Sequence, residues 1–392
     1  MRIIIIVLLP ILLVTLFSCT PSPEILKLSE TSKETQILRI LLVKTNSPVR
    51  ITSQKHIKIT EIETGKIMLN SDKGSRVNFA PDKVRKSLFI QSDDTELSVN
   101  GISYRGNIEL SNQSGSLFVI NEVSMRDYLM SVVPSEIIPS WGMEALKAQA
   151  VAARTYAMYN FNRQNKEIYH LDSNTNSQVY KGISVENPRT TQAVIETANI
   201  IILYDSQPIE AFFHSTCGGR TIEAKYVWSG GDIPYLHAVK CDFCKESSHY
   251  RWEITLTVAQ IRQALSTKYN GIGRIQNIAF KKKDGRVISV SIRHSNGTLN
   301  ITGNQFRMAI DPRTIKSLYF NSVLQSNNLK LTGNGWGHGV GMCQWGSKGM
   351  ADAGWKYDKI LKYYYPNTQL NKTTSLNSNL FGFSYKRENQ QE

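Results

Sequence analysis

Glu136 is the carboxylate best placed to move a proton. It lies in Pro134-Ser135-Glu136-Ile137-Ile138-Pro139, where two prolines stiffen the backbone and two isoleucines lower the local polarity. Such surroundings raise a carboxyl pKa and keep a proton available, which describes a general acid. The same residues also fit a solvated turn at a helix entrance. A second candidate is Gly333-Asn334-Gly335-Trp336-Gly337-His338-Gly339-Val340-Gly341-Met342-Cys343-Gln344-Trp345-Gly346. Alternating glycine lets backbone approach a ligand closely, and His338, Gln344 and the two tryptophans are groups that contact sugars. The alternative is a tight β-bulge region around a core tryptophan. The segment is neither a phosphate loop nor a dinucleotide fingerprint, because the required Gly-Lys-Ser/Thr and Gly-x-Gly-x-x-Gly spacings are absent.

His214-Ser215-Thr216-Cys217-Gly218-Gly219 has the ingredients of a nucleophile turn but not the Gly-x-Ser-x-Gly form. Cys217 with Cys241, Cys244 and either His214 or His249 would make a four-ligand zinc site, since Cys241-Asp242-Phe243-Cys244 is a common zinc half-site. Disulfides fit these cysteines equally well. Either arrangement would be structural, so no cofactor is required for catalysis. Lys281-Lys282-Lys283-Asp284-Gly285-Arg286 reads as a hairpin tip carrying solvated charge, with no role in reading nucleic acid.

The elements that must position these groups fall into an α+β pattern. From Ile37 to Ile120 short apolar runs alternate with turn residues such as Asn46-Ser47-Pro48, Asn100-Gly101 and Arg105-Gly106-Asn107, which predicts a β-rich N-terminal domain over residues 37–118. Ser124 places a capping hydroxyl three residues before Asp127, and Met125, Leu129 and Val132 then follow at helical spacing, with Pro134 expected to end that helix. A longer helix is predicted from Gly142 to Asn162. Its alanines, with Met143, Leu146 and Phe161 on one face, predict close, buried packing. Thr190 to Asn199 suits another helix, and Ile200–Tyr204 with Ile209–Phe213 reads as a hairpin around Asp205-Ser206-Gln207-Pro208. Together these elements predict a mixed α/β domain over residues 119–370, followed by a polar tail at 371–392.

The chain has 392 residues and a formal net charge of +14. Its composition excludes collagen-like, coiled-coil and wholly disordered classes, and the charge favours polyanionic surroundings. Met1-Arg2 followed by an apolar stretch to Val14 has the anatomy of an export signal, over residues 1–18. Leu16-Phe17-Ser18-Cys19 resembles a lipobox, which would make Cys19 the lipidated first residue on a tether over 19–36. An uncleaved N-terminal anchor is the alternative. Either way the rest of the chain would work outside the cytoplasm, attached to a membrane.

Several ordered motifs resemble the SpoIID/LytB family. They are Val132-Val133-Pro134-Ser135-Glu136, Trp141, Glu144 through Ala157, Ser177-Gln178-Val179-Tyr180, Phe213 through Gly219 and Gly335 through Gly346. The resemblance implies a peptidoglycan lytic transglycosylase acting on peptide-stripped glycan strands, with Glu136 as the acid/base. Ordinary glycosidases need two carboxylates. Here the C6 hydroxyl of muramic acid itself would attack C1 and leave a 1,6-anhydro end. On this resemblance Ser135, Gln149, Arg154, Tyr156, Gln178, Tyr180, Ser215, His338 and Gln344 would line the same cleft, with Arg154 suited to a lactyl carboxylate; for the polar residues of the alanine-rich helix the alternative is a buried structural hydrogen bond. Some members carry a Cys/His metal cluster just before the Gln-x-Tyr motif. This chain has only His170 there, so that cluster is expected to be absent. Two further readings come from other classes: a non-catalytic enhancer of a cell-wall amidase, and a purely structural envelope lipoprotein.

Overall fold

The computed structural model describes residues 36–372 apart from 94–95, 165–166 and 229. The expected leader, Cys19, the tether up to Thr35 and the tail beyond Lys372 lie outside the described residues. No helix among the described residues is long and apolar enough to cross a membrane.

The fold is α+β, with strands dominating up to Ser124. One seven-stranded sheet runs in the order Leu171–Asp172, Ile37–Thr45, Ser116–Ser124, Asn107–Gln113, Leu88–Gln91, Ile57–Glu61, Ile67–Ser71. A four-stranded sheet orders Ser75–Phe79, Val49–Ser53, Glu96–Val99, Ile102–Arg105. Alternate residues of both sheets, among them Leu38, Ile40, Ile57, Ile108 and Leu110 from the first and Val49, Ile51, Leu97 and Val99 from the second, enter one core. Asn100 and Gly101 close the last hairpin of the smaller sheet with φ of 50° and 93°, a turn that the Asn-Gly pair favours. The boundary expected between residues 118 and 119 falls inside the strand Ser116–Ser124, and the core continues without a break into the following helices.

Helix α1 spans Met125–Glu136; the Ser124 hydroxyl accepts from the Asp127 N–H at 3.1 Å, as its spacing predicts. The sequence placed the stop at Pro134, but the helix runs two residues further. Pro134 sits in the last turn, where its missing N–H removes one bond, and the Ile137 N–H closes that turn on Val133 O at 3.0 Å. Helix α2 spans Met143–Arg163 and is a wall between two cores. Leu146, Ala150, Ala153 and Ala157 face the sheets, while Ala148, Val151 and Ala152 face a second core built from later segments. Its alanines allow close approach on both sides, so this helix shows little amphipathic contrast.

Helix α3, Pro188–Glu196, begins earlier than predicted because Asn187 caps it and Pro188 fits its first position. Asp205 and Ser206 do turn the chain, with φ of 46° and 61°, but the returning strand is only Gln207–Pro208. The outer edge of Ile200–Tyr204 is taken by Gln369–Lys372, so ordered structure extends past the expected tail boundary at 370. Phe213–His214 instead pairs in parallel with Met342–Cys343. Residues 251–334 hold a third core, with α4 (Val258–Ser266) and α5 (Gly303–Ile310) each opened by a Thr/Gln capping box. Helices α6 (Gln344–Asp352) and α7 (Tyr357–Tyr364) complete the second core.

Candidate active site

Glu136 is the last residue of α1 and is half-buried. Its Oε1 accepts the Val179 N–H at 2.8 Å, and no protein group among the described residues bonds Oε2. Burial raises its pKa; the Val179 hydrogen bond and the Lys181 ammonium oppose that rise without cancelling it. The result is a carboxyl group that holds its proton above the usual range, with one oxygen clamped and the other open. Among the described residues, the charged side chain that acts on it is Lys181, a cation.

The segment crossing the end of α1 explains why this N–H points where it does. Gln178 and Tyr180, on alternate sides of Val179, are fully or nearly fully buried. Gln178 accepts from the Tyr128 hydroxyl at 3.1 Å and donates to Ala153 O at 3.3 Å, while the Tyr180 hydroxyl donates to Asn121 Oδ1 at 2.8 Å. The Lys181 N–H donates to Ser131 Oγ on α1 at 3.2 Å. Gln178 and Tyr180 therefore do not line a cleft, as expected from sequence; they anchor a stretch of backbone whose intervening N–H meets Glu136.

The glycine-rich segment reaches the same place, as expected. Gln344 Nε2 donates to the backbone carbonyl of Glu136 at 2.9 Å and to Gln149 Oε1 at 3.3 Å. Trp345 packs edge-on against Trp141 with centroids 4.9 Å apart, and its N–H donates to Ser215 O at 3.0 Å. Gln149 is wholly buried, and its Nε2 has no hydrogen-bond partner among the described residues. Gly341 has φ of +67°, and a Cβ there would run into Phe212 O, so the parallel pairing beside it depends on glycine.

The other expected site residues have structural partners. Ser135 is bound to Ser131 O at 2.8 Å. Arg154 is buried and donates to Val194 O at 3.1 Å and Ile200 O at 3.2 Å, so it fastens α3 and the following strand to α2 and has no face for a lactyl carboxylate. Tyr156 packs against Phe212, and burial raises its pKa to about 12. The Ser215 hydroxyl lies 3.3 Å from that of Thr216. His338 accepts from the Val340 N–H at Nδ1 and donates from Nε2 to Phe213 O at 2.8 Å; burial lowers its pKa to about 4, so it stays neutral among Phe212, Trp228 and His214. Sequence reasoning missed the Val179 N–H and Lys181. The period-2 placement of Gln178 and Tyr180 was the available signal for the first.

Cys217, Cys241, Cys244 and Cys343 are all wholly buried, with their sulfurs within 4.8 Å of one another and no disulfide between them. The histidines expected to complete this set are elsewhere: His214 Nδ1 is 3.0 Å from Val340 O, and the His249 ring stands edge-on to Trp336 at 4.1 Å. His170 accepts the Arg39 N–H at 3.0 Å.

A family model described as stage II sporulation protein matches residues 113–204, and a model described as a domain of unknown function matches residues 238–341. An uncharacterised protein of Brachyspira hyodysenteriae is 38% identical over 275 residues, 68% of this chain and 72% of that protein. Stage II sporulation protein D of Bacillus subtilis is 33% identical over 268 residues, 64% of this chain and 76% of the relative. The amidase enhancer of Bacillus subtilis is 30% identical over 292 residues, 62% of this chain but 40% of the relative.

Proposed function

The chain belongs to the SpoIID family, whose membership supports a cell-wall-related role, and on that premise we propose that it is a peptidoglycan lytic transglycosylase with Glu136 as its acid/base. The observation that carries this reading is the Glu136 carboxyl, held above its usual pKa by burial and clamped through one oxygen by the Val179 N–H. Its open Oε2 would hold the proton and give it to the glycosidic oxygen between N-acetylmuramic acid and N-acetylglucosamine as that bond breaks. The C6 hydroxyl of the same muramic acid then forms a bond to C1, and its proton returns to Oε2. No water is consumed, and the enzyme ends as it began. Because the nucleophile is tethered to the substrate, attack is intramolecular and the site needs no second carboxylate to activate water.

Gln344 and the segment 178–181 fix Glu136 at its carbonyl and at its carboxyl, so the catalytic group is oriented before substrate arrives. Trp345, the residue after Gln344, packs edge-on against the buried Trp141 and steadies the start of α6. The positive charge of the chain suits an anionic wall, and an export signal with a lipidated Cys19 would place it at the envelope, tethered to a membrane. The test is digestion of purified peptide-free glycan by wild type and by Glu136→Gln, with mass spectrometry of the products. Anhydro-ended fragments from wild type alone support the reading. Reducing muramic ends would mean hydrolysis and a different mechanism.

The amidase-enhancer relative favours one alternative, a glycan-binding module that stimulates a cell-wall amidase without turnover. Glycan retention without cleavage, equal in wild type and Glu136→Gln, would select it.

A further inference from the structure

We propose that Cys217, Cys241, Cys244 and Cys343 bind one zinc ion as an all-thiolate structural site, with Cys343 as the fourth ligand. The four sulfurs lie within 4.8 Å of one another, with Cys217 and Cys244 3.5 Å apart. A tetrahedral zinc site with Zn–S bonds of about 2.3 Å places its sulfurs roughly 3.8 Å apart, so the cluster closes on an ion with little movement. All-sulfur, tetrahedral coordination selects zinc or iron over harder cations.

The surroundings are those of thiolates. The Cys217 N–H and the Gly346 N–H each donate to Cys343 Sγ at 3.2 Å, and the Tyr364 hydroxyl lies 3.1 Å from Cys241 Sγ. Such outer-layer donors orient sulfur ligands and stabilise their charge. Gly346 makes this approach feasible: a Cβ there would lie 2.7 Å from Cys241 Sγ and closer still to the Tyr364 hydroxyl.

A second, independent observation concerns charge. Arg286 is 1% exposed, and its partners are the carbonyls of Cys217 and Arg220 and the face of Tyr319. Its Nη1 has no hydrogen-bond partner, and no carboxylate among the described residues pairs with it. A buried cation without a counter-ion is costly. Zinc with four thiolates carries two negative charges, and Arg286 supplies one positive charge against it at the cluster's edge. Four neutral thiols would leave this guanidinium uncompensated.

The site joins three stretches far apart in sequence: the turn after Phe213–His214, the Cys241–Cys244 turn and the start of α6. Cys343 caps α6, and the next residue, Gln344, holds the Glu136 carbonyl. The metal therefore anchors the segment that positions Glu136. The inference stands whether or not glycan is cleaved.

The experiment is elemental analysis of the purified full chain, with differential alkylation mapped by mass spectrometry. One zinc per chain, retained through dialysis, is expected, with all four cysteines becoming alkylated only after denaturation in chelator. No zinc with four free thiols, two disulfides among the four, or stoichiometric iron would each overturn the assignment. Cys343→Ser is expected to lose the zinc. Because that variant could fail to fold, cobalt exchange into the wild-type chain provides a second measurement: tetrahedral thiolate-to-cobalt bands support the site, and their absence overturns it. The same spectrum from His214→Ala separates four sulfurs from three sulfurs and a histidine; a changed spectrum would overturn the role of Cys343.

Discussion

Glu136 and the cysteine cluster are separated by one peptide bond of supporting structure, since Cys343 belongs to the cluster and Gln344 touches Glu136. They are finished to different degrees. All four cysteines are wholly buried, with two N–H donors on Cys343 Sγ, whereas Glu136 is half-buried with one carboxyl oxygen unused. On the proposed reading, the difference separates a group that only holds from a group that exchanges a proton. Complete satisfaction gives rigidity, and an oxygen left open at the end of a rigid support gives a reaction somewhere to occur.

Four measurements break or sharpen this contrast. The largest effect is expected from Glu136→Gln, which keeps an acceptor for the Val179 N–H but cannot donate a proton as an acid. Anhydro-product formation should fall by at least about 10²-fold, and a variant retaining most of its rate would end the distinction between the two regions. Next is Arg154→Met, which removes donors to two buried carbonyls. We expect a loss of about 2–4 kcal/mol in urea unfolding with unchanged activity per folded molecule. A selective rise in KM would instead return Arg154 to the substrate. Gln344→Ala should cost about 1–2 kcal/mol, and its turnover should fall roughly tenfold as the Glu136 carbonyl is released; a stability loss alone would make Gln344 mere scaffold.

The smallest effect concerns pH. Burial raises the Glu136 pKa, so its ionisation weighs against the folded state. The penalty is absent below the unfolded carboxyl range and grows as pH rises through the folded value. Glu136→Gln should therefore melt about 1–3 °C above wild type at pH 7 and together with it below about pH 4. The same sign makes activity decline as pH rises through the folded value. Equal melting at both pH values would mean that Glu136 is effectively solvated.

Local features of the fold were legible in the sequence. The Ser124 cap, the alanine helix and the Asn100-Gly101 turn rest on interactions within a few residues. The raised pKa of Glu136 and its meeting with the glycine-rich segment are also readable from the sequence. What sequence could not supply was the destination of a polar side chain. Gln178, Tyr180 and Arg154 stand in the expected motifs, yet protein atoms satisfy them, and a residue's type does not reveal whether its partner is substrate or backbone. Arg286 reads as part of a solvated run because Lys281, Lys282 and Lys283 precede it, and those three are exposed; Arg286 is buried by contacts with Cys217 and Arg220 far back in the chain. The place of Cys343 in the sulfur cluster escapes sequence reading for the same reason, since its partners lie about a hundred residues and more away. The Pro134 stop failed differently: the rule holds inside a helix and has little force in its final turn.

The route of the backbone around residues 251–334 has a modular consequence. The Gly335 N–H donates to His249 O at 3.0 Å and to Tyr250 O at 3.1 Å, so the chain departs and comes back at one point, and Arg251 pairs with Asn334 immediately beyond it. A cassette joined in this way adds almost no closure entropy to its host, because its own fold holds its ends together. A shorter linker at that point would reconnect the path equally well. It would not replace the guanidinium that Arg286 carries out of the cassette to the carbonyls of Cys217 and Arg220, so with zinc bound the host's sulfur cluster would depend electrostatically on a segment that its backbone does not need.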